Sequence, residues 1–143
     1  MSVFVDTGLF FALQGEETPR HDAARRGFDA VMDGRYGRLV TSDYVIDEAA
    51  TLVRSRTGDV TQAGAVIDRA LGRQGFPDAI DVEYVDRERF ERARDLFERY
   101  ADQPLTFTDA TTIALVLEEG FDYVLAFDDD FDGLVDRLDP RDL

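Results

Sequence analysis

Two aspartates directly follow continuously apolar stretches of the sequence. Asp6 comes after residues 3–5, and Asp128 comes after residues 123–127. Such runs are typical of strands that are buried on both faces of a parallel sheet. If the two strands are neighbours, their aspartate carboxylates lie about 5 to 7 Å apart at the carboxyl edge of the sheet, where open α/β folds bind ligands. The alternative for Asp6 is that its carboxylate only caps the helix that follows.

Two further acids lie at predicted helices and are candidates for the same site. Glu48 borders the apolar face around Ala49, whereas Asp47 points away from that face. A glutamate at the edge of a buried face costs free energy unless it is paired or binds a metal, and the sequence offers it no Lys and no suitably spaced Arg. Asp109 follows a threonine that can cap a helix. Its alternative role is that of a first-turn acid favoured by the helix dipole.

Asp6, Glu48, Asp109 and Asp128 together form what we call the acidic quartet. Four carboxylates that converge without a cation repel one another, so a divalent metal ion is the occupant that their chemistry favours. A ligand set made only of oxygen atoms favours Mg²⁺, with Mn²⁺ as the alternative, over zinc. From their local pattern alone, Asp129 and Asp130 are predicted to be solvated surface acids.

The last acidic stretch has a second interpretation. Aspartates at positions 128, 130 and 132, Gly133, and Asp139 at the twelfth position resemble the calcium-binding loop of an EF-hand. The element before this loop reads as a strand rather than a helix, and the twelfth residue is Asp rather than the usual Glu. A calcium-binding protein with an EF-hand-like loop at residues 128–139 is therefore the alternative hypothesis.

Strand and helix patterns alternate along the chain, which predicts a single α/β domain over residues 1–143 with a parallel sheet and right-handed crossovers. The predicted strands lie at residues 3–5, 37–41, 80–85 and 123–127, the third nearer the sheet edge. The predicted helices lie at residues 9–13, 18–34, 44–58, 59–71, 87–101 and 106–120. The predicted helix caps are Ser42 or Asp43, Asp59 or Thr61, and Thr106 or Thr108.

The charge balance of the chain is unusual. Asp and Glu total 31 against 16 basic residues, all of them Arg, and the net charge is −15. A spread-out acidic excess without Lys resembles the proteins of salt-in halophiles, whose self-repulsion is screened because the Debye length at molar salt is about 3 Å. The chain has no cysteine, which excludes disulfides and thiolate chemistry. No stretch is long and apolar enough to span a bilayer, so we expect a cytoplasmic protein.

The ordered set of acidic motifs resembles a known family. Asp6 after a short strand, Glu48 in Asp-Glu-Ala-Ala, Asp109 in Leu-Thr-Phe-Thr-Asp-Ala and Asp128 in Ala-Phe-Asp-Asp-Asp-Phe resemble the PIN domain, and most closely the VapC-type toxin ribonucleases of type II toxin–antitoxin systems. The resemblance implies a three-layer fold and an Mg²⁺- or Mn²⁺-dependent endoribonuclease, with the acidic quartet as its catalytic and metal-binding residues. It further implies Asp130 as an auxiliary ligand, and Thr7, Thr106 or Thr108 as residues that orient ligands or substrate.

The resemblance also implies partners, namely an RNA substrate, a second copy of the chain and a cognate antitoxin. The helix at residues 9–13 is apolar on nearly every face, so we expect part of it, with the helices at 44–71, to bind another chain. Arginines between Arg87 and Arg99 either contact RNA or balance neighbouring acids at helical spacing. A PIN-like binding module without catalytic activity is a further alternative.

Overall fold

Five strands and six α-helices make up the fold of this computed structural model, which describes residues 1–143. In chain order they are β1 (Ser2–Val5), α1 (Thr7–Gln14), α2 (His21–Met32), β2 (Arg38–Ser42), α3 (Asp43–Thr57), α4 (Val60–Leu71), β3 (Ile80–Glu83), α5 (Arg87–Arg99), α6 (Phe107–Glu119), β4 (Tyr123–Leu125) and β5 (Arg137–Leu138). Two short 3₁₀ helices, Asp129–Phe131 and Pro140–Asp142, complete the chain.

The strands form one parallel sheet in the order β3-β2-β1-β4-β5. The central strand β1 pairs with β2 on one side and with β4 on the other, so that Phe4 lies opposite both Val40 and Val124. Because the strand order reverses at β1, the carboxyl ends of β1 and β4 flank a topological switch point, where such sheets bind ligands. The predicted α/β fold with a central parallel sheet flanked by helices is confirmed.

Local sequence signals explain most helix boundaries. The side chains of Ser42, Asp59 and Thr106 accept hydrogen bonds from backbone N–H groups at the starts of α3, α4 and α6. These three residues are therefore the caps, rather than Asp43, Thr61 and Thr108. Glycines in the left-handed region end the same three helices, where any other residue would be strained. None of the helices combines the length and the apolar character that crossing a membrane requires.

Several boundaries differ from the sequence prediction, and one strand was not predicted. Helix α2 begins at His21 because residues 18–20 form a turn, in which the Thr18 carbonyl accepts a hydrogen bond from the His21 N–H. Strand β4 ends at Leu125, two residues earlier than predicted. Strand β5 was not predicted at all, since two residues are too few to show a periodic pattern.

The sequence predicts that one sheet cannot cover α1 and that part of its apolar surface contacts another chain, and in the structure the part left open is small. Leu9, Phe10, Ala12 and Leu13 are buried, because α2, α3 and α4 pack around α1 in addition to the sheet. Phe11 alone among its large apolar residues stays half-buried. The helix is therefore a core element, and only its Phe11 side is available to another chain.

Candidate active site

Asp6 lies at the junction between β1 and α1 and is 5% exposed. It occupies the position before α1 with an extended backbone, but its side chain makes no capping hydrogen bond of good geometry, so the structure gives the alternative of a mere helix cap no support. Its Oδ1 atom is buried and has no hydrogen-bond partner. The hydroxyl of the neighbouring Thr7, which is also buried, has none either. An unpaired buried carboxylate oxygen is costly, which indicates that a ligand belongs there.

Asp109 lies in the first turn of α6 and takes part in capping that helix. It is the third residue of α6, and its Oδ2 accepts a hydrogen bond of 3.0 Å from the Thr106 N–H, while the Thr106 hydroxyl accepts one of 3.1 Å from the Asp109 N–H. This capping box fixes the orientation of the Asp109 carboxylate. Thr106 is therefore placed to orient Asp109, whereas the Thr108 hydroxyl makes no hydrogen bond and only its carbonyl accepts one, from Thr111.

Glu48 and Asp128 reach the same edge from α3 and from the end of β4. Glu48 is half-buried and takes part in no ion pair or hydrogen bond, whereas its neighbour Asp47 is exposed and accepts a hydrogen bond from Thr51. Asp128 is exposed, and its Oδ1 accepts a hydrogen bond of 2.9 Å from the Asp130 N–H at the start of the first 3₁₀ helix. Asp128 is thus held by its own turn and remains open to solvent.

The carboxylates of the acidic quartet influence one another electrostatically. Burial, then the charge of Asp109, and to a smaller extent that of Glu48, raise the pKa of Asp6 to about 7, against the opposing effect of the Thr7 and Gly8 backbone N–H groups. Burial raises the pKa of Asp109 to about 6, with the charges of Glu48 and Asp128 adding to it and the Thr106 hydrogen bonds opposing it. The structure therefore brings the four predicted residues into one electrostatic cluster.

The tightest group of carboxylates is not the quartet itself. Asp128, Asp129 and Asp130 bring their carboxylate oxygens within 4.8 Å of one another. Burial, followed by the neighbouring carboxylate of Asp128, raises the pKa of Asp130. The quartet spans a wider space, which suits Mg²⁺ because this ion keeps several of its waters and binds few carboxylates directly. The all-oxygen donor set and the orphaned Asp6 oxygen fit a divalent cation.

Sequence reasoning missed Asp129 as a candidate ligand. The signal that could have found it is its place in a run of three consecutive aspartates after a buried strand, although its local pattern alone predicts a solvated surface acid. A strand that stops at the sheet edge and continues as a tight turn points successive side chains into the same space. Asp129 thereby joins Asp130 beside Asp128.

Arg137 binds two of the acids that the EF-hand interpretation assigned to calcium. Its guanidinium binds both oxygens of Asp132, at 2.7 and 3.0 Å, and donates to Asp139 at 3.1 Å and to the Ala126 carbonyl at 3.1 Å. Hydrogen bonds from Arg141, with further ones from Arg137, hold the pKa of Asp139 well below its usual range. The segment is entered from strand β4, and two of its loop acids are neutralised, so the geometry does not support a calcium loop.

Most arginines of α5 are engaged with acids. Arg89 pairs with Glu83 and Glu119, and Arg92 pairs with Glu118. Arg94 pairs with Glu98 on the same helix. These side chains balance neighbouring acids, which was one of the two roles predicted for the 87–99 cluster.

An open parallel sheet whose carboxyl edge collects unpaired carboxylates defines an α/β protein with an acidic, oxygen-only site. The PIN domain matches this chain over residues 3–136, and the chain belongs to the PIN domain family. The predicted resemblance is thereby confirmed.

The chain is similar to several VapC proteins. It is 29% identical to the 23S rRNA-specific endonuclease VapC20 of Mycobacterium tuberculosis over 90% of this chain and 91% of that protein. The crystal structure of VapC20, a sarcin-ricin loop cleaving toxin, superposes with a TM-score of 0.78 over 90% of this chain and 92% of that one, at 29% identity. A VapC ribonuclease of Archaeoglobus fulgidus is 25% identical over 83% of this chain and 72% of that protein.

A more distant structure shares the fold alone. VapBC2 from Rickettsia felis, solved with a DNA fragment from its promoter, gives a TM-score of 0.68 at 11% identity, over 96% of this chain and 98% of that one. At that identity the likeness extends to the course of the backbone, and the side chains of this site have to be argued from this chain itself.

We expect the metal-free protein to gain stability as the pH falls from 8 to about 4.5. The raised pKa values of Asp6 and Asp109 mean that the folded state binds more protons than the unfolded state in this range. This contribution is fully present below their ordinary value of 3.8 and is lost as the pH rises through about 6 and 7. Urea unfolding in EDTA should show the free energy of unfolding rising by roughly 1 to 3 kcal/mol, and Asp6→Asn should flatten the rise. Asp47→Asn is the control, and parallel curves for wild type and Asp6→Asn would contradict the cluster.

If Asp109 both caps α6 and belongs to the acidic quartet, two substitutions should change the stability of the protein differently. Asp109→Asn keeps an oxygen that can accept the Thr106 N–H but removes the charge, so at pH 8 in EDTA it should be more stable than wild type. Asp109→Ala also removes the acceptor and should be less stable than Asp109→Asn by about 1 kcal/mol. Thermal melts measure both differences, and added Mg²⁺ should narrow the advantage of Asp109→Asn. Equal destabilisation by both substitutions would mean that Asp109 serves the helix cap alone.

Proposed function

We propose that this protein is a metal-dependent endoribonuclease that hydrolyses RNA phosphodiester bonds and is the toxin of a type II toxin–antitoxin system. The observation that carries the proposal is the acidic quartet, in which a buried carboxylate oxygen lacks any partner at the switch point of a PIN domain. The likeness to VapC20 and to the VapC ribonuclease, over most of each chain, supports the same activity. RNA as substrate implies a cytoplasmic location.

In this proposal the acidic quartet holds a divalent cation, Mg²⁺ or alternatively Mn²⁺. Asp130 and Asp129 are auxiliary ligands, because their carboxylates adjoin that of Asp128. A bound divalent cation lowers the pKa of a coordinated water and offsets the charge of the phosphate. No histidine lies in the cluster, and its carboxylates have no arginine partner. The carboxylates are therefore the groups that would hold the cation.

Each residue of the site has a specific task. Thr106 holds the Asp109 carboxylate through the capping box, which leaves Oδ1 of Asp109 outside that hydrogen bond. The unpartnered hydroxyl of Thr7 is available to orient a ligand or a water beside Asp6. Thr108 has no contact that supports the same role. Above their raised pKa values, Asp6 and Asp109 lose their protons and become competent ligands.

The substrate class follows from the relatives. VapC20 is named for 23S rRNA, and its crystal structure is that of a sarcin-ricin loop cleaving toxin. We extend to this chain the class of structured RNA with an exposed loop, because single-stranded nucleotides can be splayed into a site at the edge of a sheet. A synthetic sarcin-ricin loop hairpin is therefore the first RNA to test.

Replacing Glu48 by Gln should abolish most cleavage, whereas Asp47→Asn should leave it intact. The two residues are neighbours on α3, but only Glu48 lies in the cluster. Loss of a ligand that supports a metal costs several kcal/mol of transition-state stabilisation, so we expect cleavage to fall by about 100-fold or more. Gel assays with the hairpin in EDTA, Mg²⁺ and Mn²⁺, at low and at molar KCl, measure the effect.

Two results would count against the proposal. Cleavage that persists in EDTA would exclude the metal-dependent mechanism. Wild-type protein that cuts no RNA in either metal, yet binds a partner, would favour the inactive PIN-like module.

An antitoxin segment is the partner that we propose for a cavity of about 480 Å³ at the end of α1. Phe11 and Val53 supply its apolar lining, and Glu16 and Glu17 lie at its side. An apolar segment with flanking basic residues would complement this surface and the net charge of −15. For the homodimer we propose the α4 face, where Val60 is 70% and Ile67 36% exposed one above the other, with Gly64 between them.

Two substitutions should separate these partners. Phe11→Asp removes one of the two apolar side chains of the cavity and adds a charge beside Glu16 and Glu17. It should abolish binding of the cognate antitoxin in titration calorimetry, with the helical circular dichroism unchanged. Ile67→Asp should shift light scattering from dimer to monomer but leave antitoxin binding in place. The cavity assignment fails if Phe11→Asp binds antitoxin as wild type does, and the dimer assignment fails if wild type is monomeric at every concentration tested.

A further inference from the structure

A second cavity, of about 470 Å³, opens directly beside Asp128. Three arginines and three aspartates surround the ring of Phe127 in it. Two of the aspartates, Asp128 and Asp129, belong to the tight carboxylate group at the end of β4. We call it the Arg20 cavity, and it adjoins the proposed cation ligands without containing Asp6, Glu48 or Asp109.

The three arginines of the Arg20 cavity differ in their partners. Arg137 is bound by Asp132 and Asp139, and Arg141 by Asp139. Two guanidinium groups and two carboxylates therefore cancel there. Arg20 has no carboxylate within ion-pair distance and makes no hydrogen bond through its side chain. Arg20 is therefore the one arginine of the cavity that forms no ion pair.

The position of Arg20 is nevertheless fixed. Its guanidinium carbon lies 5.0 Å from the centroid of the Phe127 ring, and that of Arg141 lies 5.8 Å from the same centroid. An arginine on an aromatic face is held by the ring quadrupole and keeps its N–H groups free to donate. Since Phe127 immediately precedes Asp128, this contact places Arg20 beside the segment after β4 that carries the proposed cation ligand Asp128.

We propose that Arg20, held on Phe127, binds a backbone phosphate of the RNA next to the bond that is cleaved. The planar guanidinium matches two phosphate oxygens, and a guanidinium without a carboxylate partner gains most from such a pair. A chain of net charge −15 repels RNA over most of its surface, so a contact beside the carboxylates requires a local cation. The inference rests on the proposed ribonuclease function and adds a substrate-binding residue to it.

A purely structural role for Arg20 is the competing explanation, because its side chain also covers Phe127. That role predicts a loss of stability and no change in RNA binding once the fold is intact. Arg25 provides a matched control, since it lies on α2, the helix that begins directly after Arg20, is exposed and forms no ion pair. Arg20→Lys keeps the charge but loses the planar fork.

RNA binding by the full chain, in an Asp6→Asn background that prevents cleavage, tests the proposal. With a fluorescently labelled sarcin-ricin loop hairpin and Mg²⁺, Arg20→Ala should raise the Kd about 5- to 10-fold and reduce the slope of log K against log salt by about 0.7 to 0.9. Arg20→Lys should restore the slope but only part of the affinity. Arg25→Ala should change neither quantity.

A scan of hairpins that each carry one neutral methylphosphonate linkage locates the contact. The Asp6→Asn protein should bind one of these hairpins more weakly than the unmodified hairpin. The Asp6→Asn protein that also carries Arg20→Ala should bind that hairpin and the unmodified one equally well. The proposal is overturned if Arg20→Ala and Arg25→Ala share the same Kd, slope and linkage profile. If wild type cleaves RNA but Arg20→Ala and Arg25→Ala behave alike, only the phosphate site fails. If wild type neither cleaves nor binds the hairpin in either metal, the proposed function and the phosphate site fail together.

Discussion

Asp6 is buried at the end of the central strand, and one of its carboxylate oxygens meets no hydrogen-bond donor. Asp6 is enclosed because β1 pairs with a strand on each side and α1 begins directly after it. Asp109 and Glu48 then approach from α6 and α3 and add repulsion to the cost of burial. A fold that keeps such a carboxylate carries a cost in stability, which any cation that binds the folded state would offset.

Part of the acidic charge outside the site is balanced locally. Outside the site, acids such as Glu83, Glu118 and Asp132 are paired with arginines. Among the quartet, no carboxylate has such a partner, although the chain contains 16 arginines. Exposed pairs of this kind stabilise a protein little, and they leave most of the 31 acids without an arginine. What distinguishes Asp6 and Asp109 from the other acids without an arginine is that they are also buried.

Local sequence information was enough to predict the elements that carry the site's acids, but it could not predict which distant segments pack around them. The apolar runs that end at Asp6 and Asp128 identified two buried strands, because continuous hydrophobicity is a property of single segments. The capping pattern before Asp109 is equally local. By contrast, the burial of α1 and the pairing of β5 depend on contacts between distant segments. The same holds for the stacking of Arg20 on Phe127, which joins residues more than a hundred positions apart.

The EF-hand pattern shows why spacing without context misleads. Aspartates at every second position around Asp130 satisfy the loop motif in one dimension. In the structure, Arg137 reaches back from β5 and engages Asp132 and Asp139, so the acids divide into two groups with different tasks. Those bound to Arg137 hold the turn, whereas Asp128, Asp129 and Asp130 bring their carboxylates together without an arginine partner.

This division also bears on how a strongly acidic protein handles a polyanion. If the medium is as salty as the composition predicts, charges farther apart than about 3 Å hardly interact, so the net charge of the chain matters less than the groups in direct contact. Counterion release then contributes less to RNA binding as well. Affinity has to come from short-range geometry, and the carboxylate group beside Asp128 and the guanidinium of Arg20 are adjacent sources of it. An acidic surface and a phosphate-binding site are therefore compatible in one small domain.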